Sequence, residues 1–182
     1  GRRGLVAMDL EPGDELVSAR LAREGDHAVL VTAQGKALRF PVSALRQASR
    51  QSGGVRGIRL SPGDEVVGMD IVQDGGHLLT VTARGYGKRT PLAHYPLHGR
   101  GGQGVLTYKI SDRTGPVAAA RVVRPGDEVA VASQDGVMLR TPADEISVQG
   151  RSSQGVRLMD LSPGDAVSCI AVVSLRSGNG QP

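Results

Sequence analysis

Short runs of alternating or consecutive apolar residues are separated along the whole chain by turns that carry glycine and proline. Runs of this length, bounded in this way, predict β-strands, and no long window shows an apolar period near 3.6. The opening segment sets the order. Leu5 to Leu10 reads as a strand, and Glu11-Pro12-Gly13-Asp14 as a turn in which proline presets φ and glycine takes a positive one. A second strand at Glu15 to Leu21 leads through Glu24-Gly25-Asp26 to a third at Ala28 to Thr32, and Gln34-Gly35 turns into a fourth at Lys36 to Val42.

The same order returns. Val55 to Leu60, Ser61 to Glu65, Val66 to Val72, Leu78 to Gly85 and Tyr86 to Leu92 repeat it closely. In the next copy Pro125-Gly126-Asp127 looks like the partner of Pro12-Gly13-Asp14 and Pro62-Gly63-Asp64. Counting from Gly35, Gly85 and Gly136 instead places it at the second turn, level with Gly25-Asp26, and makes Ser111 to Gly115 the first turn. The frame of an arginine, a glycine four residues on and an apolar run opens at Arg50, Arg100 and Arg151, the fullest copy being His98 to Ile110. Four short strands in about fifty residues is the size of one propeller blade. The predicted organisation is therefore a partial ring in residues 1–175, with repeats at 4–54, 55–104 and 105–155, a half repeat at 156–175 and a frayed tail at 176–182. The two strands of the half repeat are expected to complete the preceding blade. The opening segment is expected to be a donated strand lacking its upstream neighbour, so the whole reads as an arc cut from a larger ring.

Composition narrows the chemistry. The chain has 182 residues, 39% hydrophobic and 22% charged, which fits a globular domain. Phe40, Tyr86, Tyr95 and Tyr108 are its only aromatics, so stacking platforms for single-stranded bases are not expected. Cys169 is the single cysteine, and no stretch is apolar for the length a bilayer needs. A reducing, cytoplasmic setting without a membrane partner is the expectation. His27 and His77 share a column but lack metal-ligand spacing, no nucleophile motif frames the serines, and GRGGQG lacks the lysine and hydroxyl of a P-loop. No catalytic residue, metal or cofactor is expected in this piece.

The net charge is +4, and nineteen of the 22 cations are arginines, the exceptions being Lys36, Lys88 and Lys109. Arginine presents a planar fork suited to phosphate oxygens, although a GC-rich genome would give the same ratio. Position is more informative. Arg39, Arg89 and Arg140 form one column on the fourth strand, and Arg50, Arg100 and Arg151 a second at the glycine-rich turn. With Lys36, Lys88 and Lys109 as flanking cations, these columns predict a recurring cationic track that contacts duplex DNA phosphates without reading bases. The competing reading pairs each arginine with an acidic turn residue such as Asp14, Asp64, Glu65 or Asp160.

Several of these stretches carry a family resemblance. VRGIRLSPGDEVVGMDIV, GYGKRTPLAHYP, GRGGQGVLTYKI and EISVQGRSSQGVRLMDL resemble the C-terminal domain of the DNA gyrase A subunit, over Gly4 to about Leu175. The resemblance implies an all-β, propeller-like β-pinwheel of four-stranded blades that exchange strands, with about three and a half repeats of a ring of about six present here. It also implies a module that wraps double-stranded DNA within an ATP-dependent type II topoisomerase and supports negative supercoiling, with the rest of the gyrase A subunit and the gyrase B subunit as partners. The family's QRRGGKG box is matched only by His98 to Gly104, which keeps Arg100, Gly101, Gly102 and Gly104 but has Gln103 where the box is basic. The alternatives are the topoisomerase IV A subunit's C-terminal domain, favoured less because the repeats are regular, and a propeller used as a protein-interaction scaffold.

Overall fold

Runs such as Ala28–Val31, apolar at every position, suit a strand covered on both faces, and that is where the fold puts them. The computed structural model describes residues 3–9, 16–23, 25–43, 60–98 and 102–174. Thirteen strands are described: β1 (Arg3–Asp9), β2 (Leu16–Arg23), β3 (His27–Thr32), β4 (Lys36–Pro41), β5 (Val66–Ile71), β6 (His77–Thr82), β7 (Tyr86–Pro91), β8 (Val105–Leu106), β9 (Val117–Val123), β10 (Asp127–Ser133), β11 (Met138–Pro142), β12 (Val156–Arg157) and β13 (Val167–Ser174). Single 3₁₀ turns follow β7 at Leu92–His94 and β11 at Ala143–Glu145.

The strands form antiparallel sheets in the orders β5-β3-β4-β8, β12-β7-β6-β9 and β11-β10-β13, with β1-β2 as a fourth, two-stranded sheet. Each four-stranded sheet draws on three successive sequence repeats. A central hairpin, β3-β4 or β6-β7, comes from one repeat. The inner neighbour, β5 or β9, comes from the next, and the outermost strand, β8 or β12, from the one after that. A blade is thus not one repeat folded on itself. Strand exchange between neighbouring blades is the observed rule, and of the half repeat's two strands only β13 completes the preceding, third sheet; β12 joins the second sheet, one blade further back than expected. β1, which shares the sequence frame of β8 and β12, pairs instead with β2 in its own hairpin.

Three apolar clusters lie between the sheets. Ala28 and Leu30 of β3 face one with Phe40 and Met69, whereas Val29 and Val31 face a second with Leu78, Tyr108 and Val122. Leu79 and Val81 face a third with Val129, Val131 and Ile170. β10 alternates buried and half-buried positions because only one face of its sheet is covered. Asp70 on β5 accepts from Val122 N at 2.8 Å and from Arg121 Nε at 3.2 Å, tying adjacent inner strands together.

The turn registration read from the sequence holds. Asp26 and Asp127 each accept from the backbone three residues back, at Arg23 N (2.6 Å) and Arg124 N (2.7 Å), so Pro125-Gly126-Asp127 is a second turn. Ser111 to Gly115 is the first turn of its repeat, closed by Gly115 N to Ser111 O at 2.9 Å. The aspartates of the first turns work across repeats: Asp64 Oδ1 accepts Gln34 N, and Asp165 Oδ1 accepts Asp135 N, both at 3.0 Å.

The expected strand at Val105 to Ile110 is cut to two residues for a local reason. Thr107 N and Tyr108 N both donate to Gly35 O, at 2.7 and 3.2 Å, so the chain leaves the ladder to cover the β3-β4 turn. Leu158 N and Met159 N do the same at Gly85 O, at 2.8 and 3.2 Å. Gly35 and Gly85 have φ near +90°, and a Cβ on Gly85 would sit 2.7 Å from Met159 O. Both the turn and the docking of a distant strand require glycine here. The predicted tail at 176–182 lies outside the described residues.

Candidate nucleic-acid interface

The outermost strand of each complete sheet follows a segment that meets the same edge strand, and in the second sheet a fully described glycine-rich turn arches between the two contacts. Leu97 bridges Arg39 in parallel, and Val105 and Leu106 then pair with Ala37 and Lys36 in antiparallel fashion. Val148 bridges Arg89, and Val156 and Arg157 pair with Gly87 and Tyr86. Beneath the second arch lies Lys88, with no exposed surface. Its Nζ donates to Gly150 O (2.7 Å), Ser153 O (2.9 Å), Arg151 O (3.0 Å) and Ser153 Oγ (3.1 Å), and stands 4.7 Å from the centre of the Tyr108 ring. Burial pushes this amine down to about 8. The Tyr108 hydroxyl donates to Gln154 O, and burial raises its own pKa.

Carbonyls turned inward onto an ammonium fix the arch, and its cations lie around the outside. Arg151 reaches Leu106 O at 3.3 Å, Lys36 is the ladder partner of Leu106, and Lys109 N donates to Ser153 O at 3.3 Å. Lys36, Lys109 and Arg151, far apart in sequence, therefore share one stretch of the perimeter, with Lys36 and Lys109 exposed and Arg151 half-buried. On the next sheet edge, Arg113 and Arg157 both stack on Tyr86, at 5.1 and 5.4 Å from the ring centre. Arg157 donates to Tyr86 Oη (2.9 Å) and Asp160 Oδ1 (3.2 Å), which lowers the phenol's pKa and leaves the guanidinium exposed. Each edge thus presents exposed or half-buried cations beside an exchanged strand.

The fourth-strand column divides. Arg89 is only 8% exposed and donates through Nε to Ile146 O at 2.7 Å and through Nη2 to Asp144 O at 3.1 Å. Arg39 is half-buried, bound to His27 Nδ1 at 2.9 and 3.1 Å and to Leu92 O at 3.1 Å. Each arginine reaches the 3₁₀ turn that follows in the next repeat and ties the two together. Arg140, with no such turn described beyond it, is 64% exposed in its side chain and pairs with Glu128 at 3.4 Å.

A reading of Lys88 and Arg89 as phosphate contacts is corrected on this geometry. Both side chains are buried, the Lys88 ammonium bonding to Gly150 O, Arg151 O and Ser153 O and the Arg89 guanidinium to Ile146 O and Asp144 O with the Asp144 carboxylate at 3.8 Å, which turns them away from the perimeter. Arg50 and Arg100 lie outside the described residues. Arg113 was missed by column counting because the first turn it occupies takes a different sequence in this repeat; a cation next to a tyrosine-bearing edge was the available signal. Among the described residues no helix is long and apolar enough to cross a membrane, and no three His, Cys, Asp or Glu side chains gather as a metal site.

Strand-exchanged four-stranded sheets with a cationic outer edge define a pinwheel-type, propeller-like repeat domain. The family described as DNA gyrase C-terminal domain, beta-propeller, matches residues 1–23, 26–73, 76–124 and 127–174, and the chain belongs to it. It is 45% identical over 170 residues to the DNA gyrase A subunit of Dehalogenimonas lykanthroporepellens, a match that covers 90% of this chain and 21% of the relative. Identity to the Mycobacterium tuberculosis gyrase A subunit is 39% over 178 residues, covering 97% of this chain and again 21% of the relative. The chain thus spans about a fifth of the length of these relatives. The solved structure of a DNA gyrase A C-terminal domain superposes with a TM-score of 0.78 at 28% identity, covering 91% of this chain and 56% of that one. A DNA topoisomerase IV C-terminal domain gives 0.81 at 21% identity, covering 92% and 52%, a likeness of fold alone.

Proposed function

We propose that this chain is a duplex-DNA-binding and wrapping module that reads no sequence, carries out no chemistry itself, and serves a type II topoisomerase of the gyrase kind. The observation that carries this reading is the recurrence of solvent-facing cations at successive sheet edges: exposed Lys36 and Lys109 with half-buried Arg151 on one, exposed Arg113 and Arg157 stacked on Tyr86 on the next. A linear array of phosphates meets a curved series of guanidinium and ammonium groups, and counterion release supplies the affinity. Arg39 and Arg140 flank this track at the same edge strands, and Arg50 and Arg100 belong to it by their place in the repeat. Glycine-rich turns between the cations let duplex pass close to the backbone.

The matched relatives are named as DNA gyrase A subunits, which favours gyrase over topoisomerase IV as the parent enzyme. The remainder of the A subunit, the B subunit, ATP-dependent negative supercoiling and a cytoplasmic setting follow from that assignment. The test is duplex affinity against salt. Five or more phosphate contacts give a slope of log K on log [salt] near −4 or steeper. A slope close to zero refutes the reading. The double variant Arg151→Glu, Arg157→Glu is expected to flatten the slope by about two, and an unchanged slope would show that these edges do not meet DNA.

A further inference from the structure

Lys88 breaks a column. Three residues past Gly35 and Gly136 stand Leu38 and Leu139, and Leu38 is buried in an apolar cluster, so a hydrocarbon side chain serves at this place. Three residues past Gly85 the second sheet buries an ammonium instead, which is costly unless its bonds are made. The turn above it has changed in step: the positions held by Gly101 and Gly102 in one repeat are Ser152 and Ser153 in the next.

The bonds to Nζ decide where the turn's amides point. A trans peptide carries its N–H on the side opposite its C=O. Gly150 O, Arg151 O and Ser153 O all lie within 3.0 Å of Nζ, so the amides that share their planes, those of Arg151, Ser152 and Gln154, leave the turn on the side away from Lys88. Three neighbouring amides are used within the fold: Gln149 N donates to Arg89 O at 2.9 Å, Ser153 N to Gly150 O at 3.4 Å and Gly155 N to Gln149 Oε1 at 3.1 Å. Among the described residues no acceptor meets the amides of Arg151, Ser152 or Gln154. Ser152 is exposed, and the other two residues are half-buried. The Arg151 guanidinium, tethered to Leu106 O at 3.3 Å, belongs to the same turn.

Outward N–H dipoles backed by a buried cation place positive charge at a fixed point of the surface, and successive loop amides so arranged hold anions. We infer that the amides of Arg151, Ser152 and Gln154, with the Arg151 guanidinium, bind a backbone phosphate of duplex DNA, and that Lys88 is the positioning residue that aims them. This rests on the duplex-binding reading and adds to it a main-chain contact set in advance, with little ordering entropy left to lose on binding. Lys88 itself touches no phosphate; it acts through the turn.

The test titrates the isotope-labelled 182-residue chain with a short DNA duplex and follows each backbone amide by NMR. The amides of Arg151, Ser152 and Gln154 should move downfield and exchange more slowly on binding, whereas those of Ser153 and Gly155, already bonded, should not. Duplex that binds with a steep salt slope yet leaves the three amides unmoved overturns this inference and spares the wider reading; a flat slope overturns both. Lys88→Met supplies a second readout. It should weaken binding about tenfold, the order of one charge-assisted hydrogen bond, at an unchanged salt slope, because the ammonium neutralises no phosphate. The three amides should lose their response in this variant while the Arg157 side chain keeps its own, a selectivity that general loss of folding would not produce. An unchanged affinity would mean that Lys88 only braces the fold, and a slope flattened by about one would make it a direct contact; either result overturns its positioning role. Should the variant not fold, the titration of the parent decides.

Discussion

Lys88→Met isolates the ammonium under the second arch, since methionine keeps most of the stem and removes the charge. Three carbonyls then lose a charged donor, and bonds of that kind are worth about 1.5–3 kcal/mol each, so roughly 5 kcal/mol is at stake. Two losses are softened: Gly150 O also accepts from Ser153 Oγ at 3.1 Å, and Ser153 O from Lys109 N at 3.3 Å. Against the loss stands relief from burying a cation. Depression of the amine from 10.5 to about 8 corresponds to a burial cost of about 3 kcal/mol. The difference predicts a net destabilisation of about 2 kcal/mol, concentrated in residues 150–155. Urea unfolding measures the total, with an unchanged m-value expected. Hydrogen exchange at Ser153 and Gly155, whose amides bond to Gly150 O and Gln149 Oε1, reads the local part. A variant within about 0.5 kcal/mol of the parent, with unaltered exchange in the arch, would refute the claim that Lys88 holds it.

The same amine sets a pH dependence. Its folded pKa lies below its unfolded one, so the unfolded chain binds more protons between about pH 8 and 10.5, and Lys88's contribution to stability rises across that window; the parent should gain stability relative to Lys88→Met between about pH 8 and 10 in paired unfolding titrations. Gly136→Ala should cost about 1–2 kcal/mol, from positive φ alone, whereas Gly85→Ala adds a collision with Met159 O and should cost more than twice that by thermal or urea unfolding. Arg89→Met should lower stability by about 2 kcal/mol or more, the cost of its bonds to Ile146 O and Asp144 O, and leave the salt slope of DNA binding intact. Arg157→Glu should do the reverse, changing the slope by about one with little effect on unfolding.

How much of this was legible depends on how far along the chain each cause reaches. Strand order and turn registration could be read directly. A positive-φ glycine or an aspartate accepting a backbone amide acts within four residues, so Pro125-Gly126-Asp127 could be set level with Gly25-Asp26 by counting. The repeat itself, and the cationic columns, were visible for the same reason. The identity of each strand's partner was not. Backbone hydrogen bonds carry no side-chain signature, and β8 and β12 seat on turns two repeats upstream, where only the small residues Gly35, Ala37, Gly85 and Gly87 hint at a covering strand.

The sorting of the cations belonged wholly to tertiary structure. Arg39, Arg89 and Arg140 occupy one sequence column, yet the first two are drawn inward by the 3₁₀ turns of following repeats and the third stands in solvent. Lys88 looked like one more perimeter charge and is instead the fully buried centre of an arch. By itself the sequence determined an all-β repeat with cations at a fixed period, because alternation, turns and period are local. Which cations face outward was decided only when strands from three repeats met in one sheet, because burial depends on neighbours that the chain delivers from elsewhere.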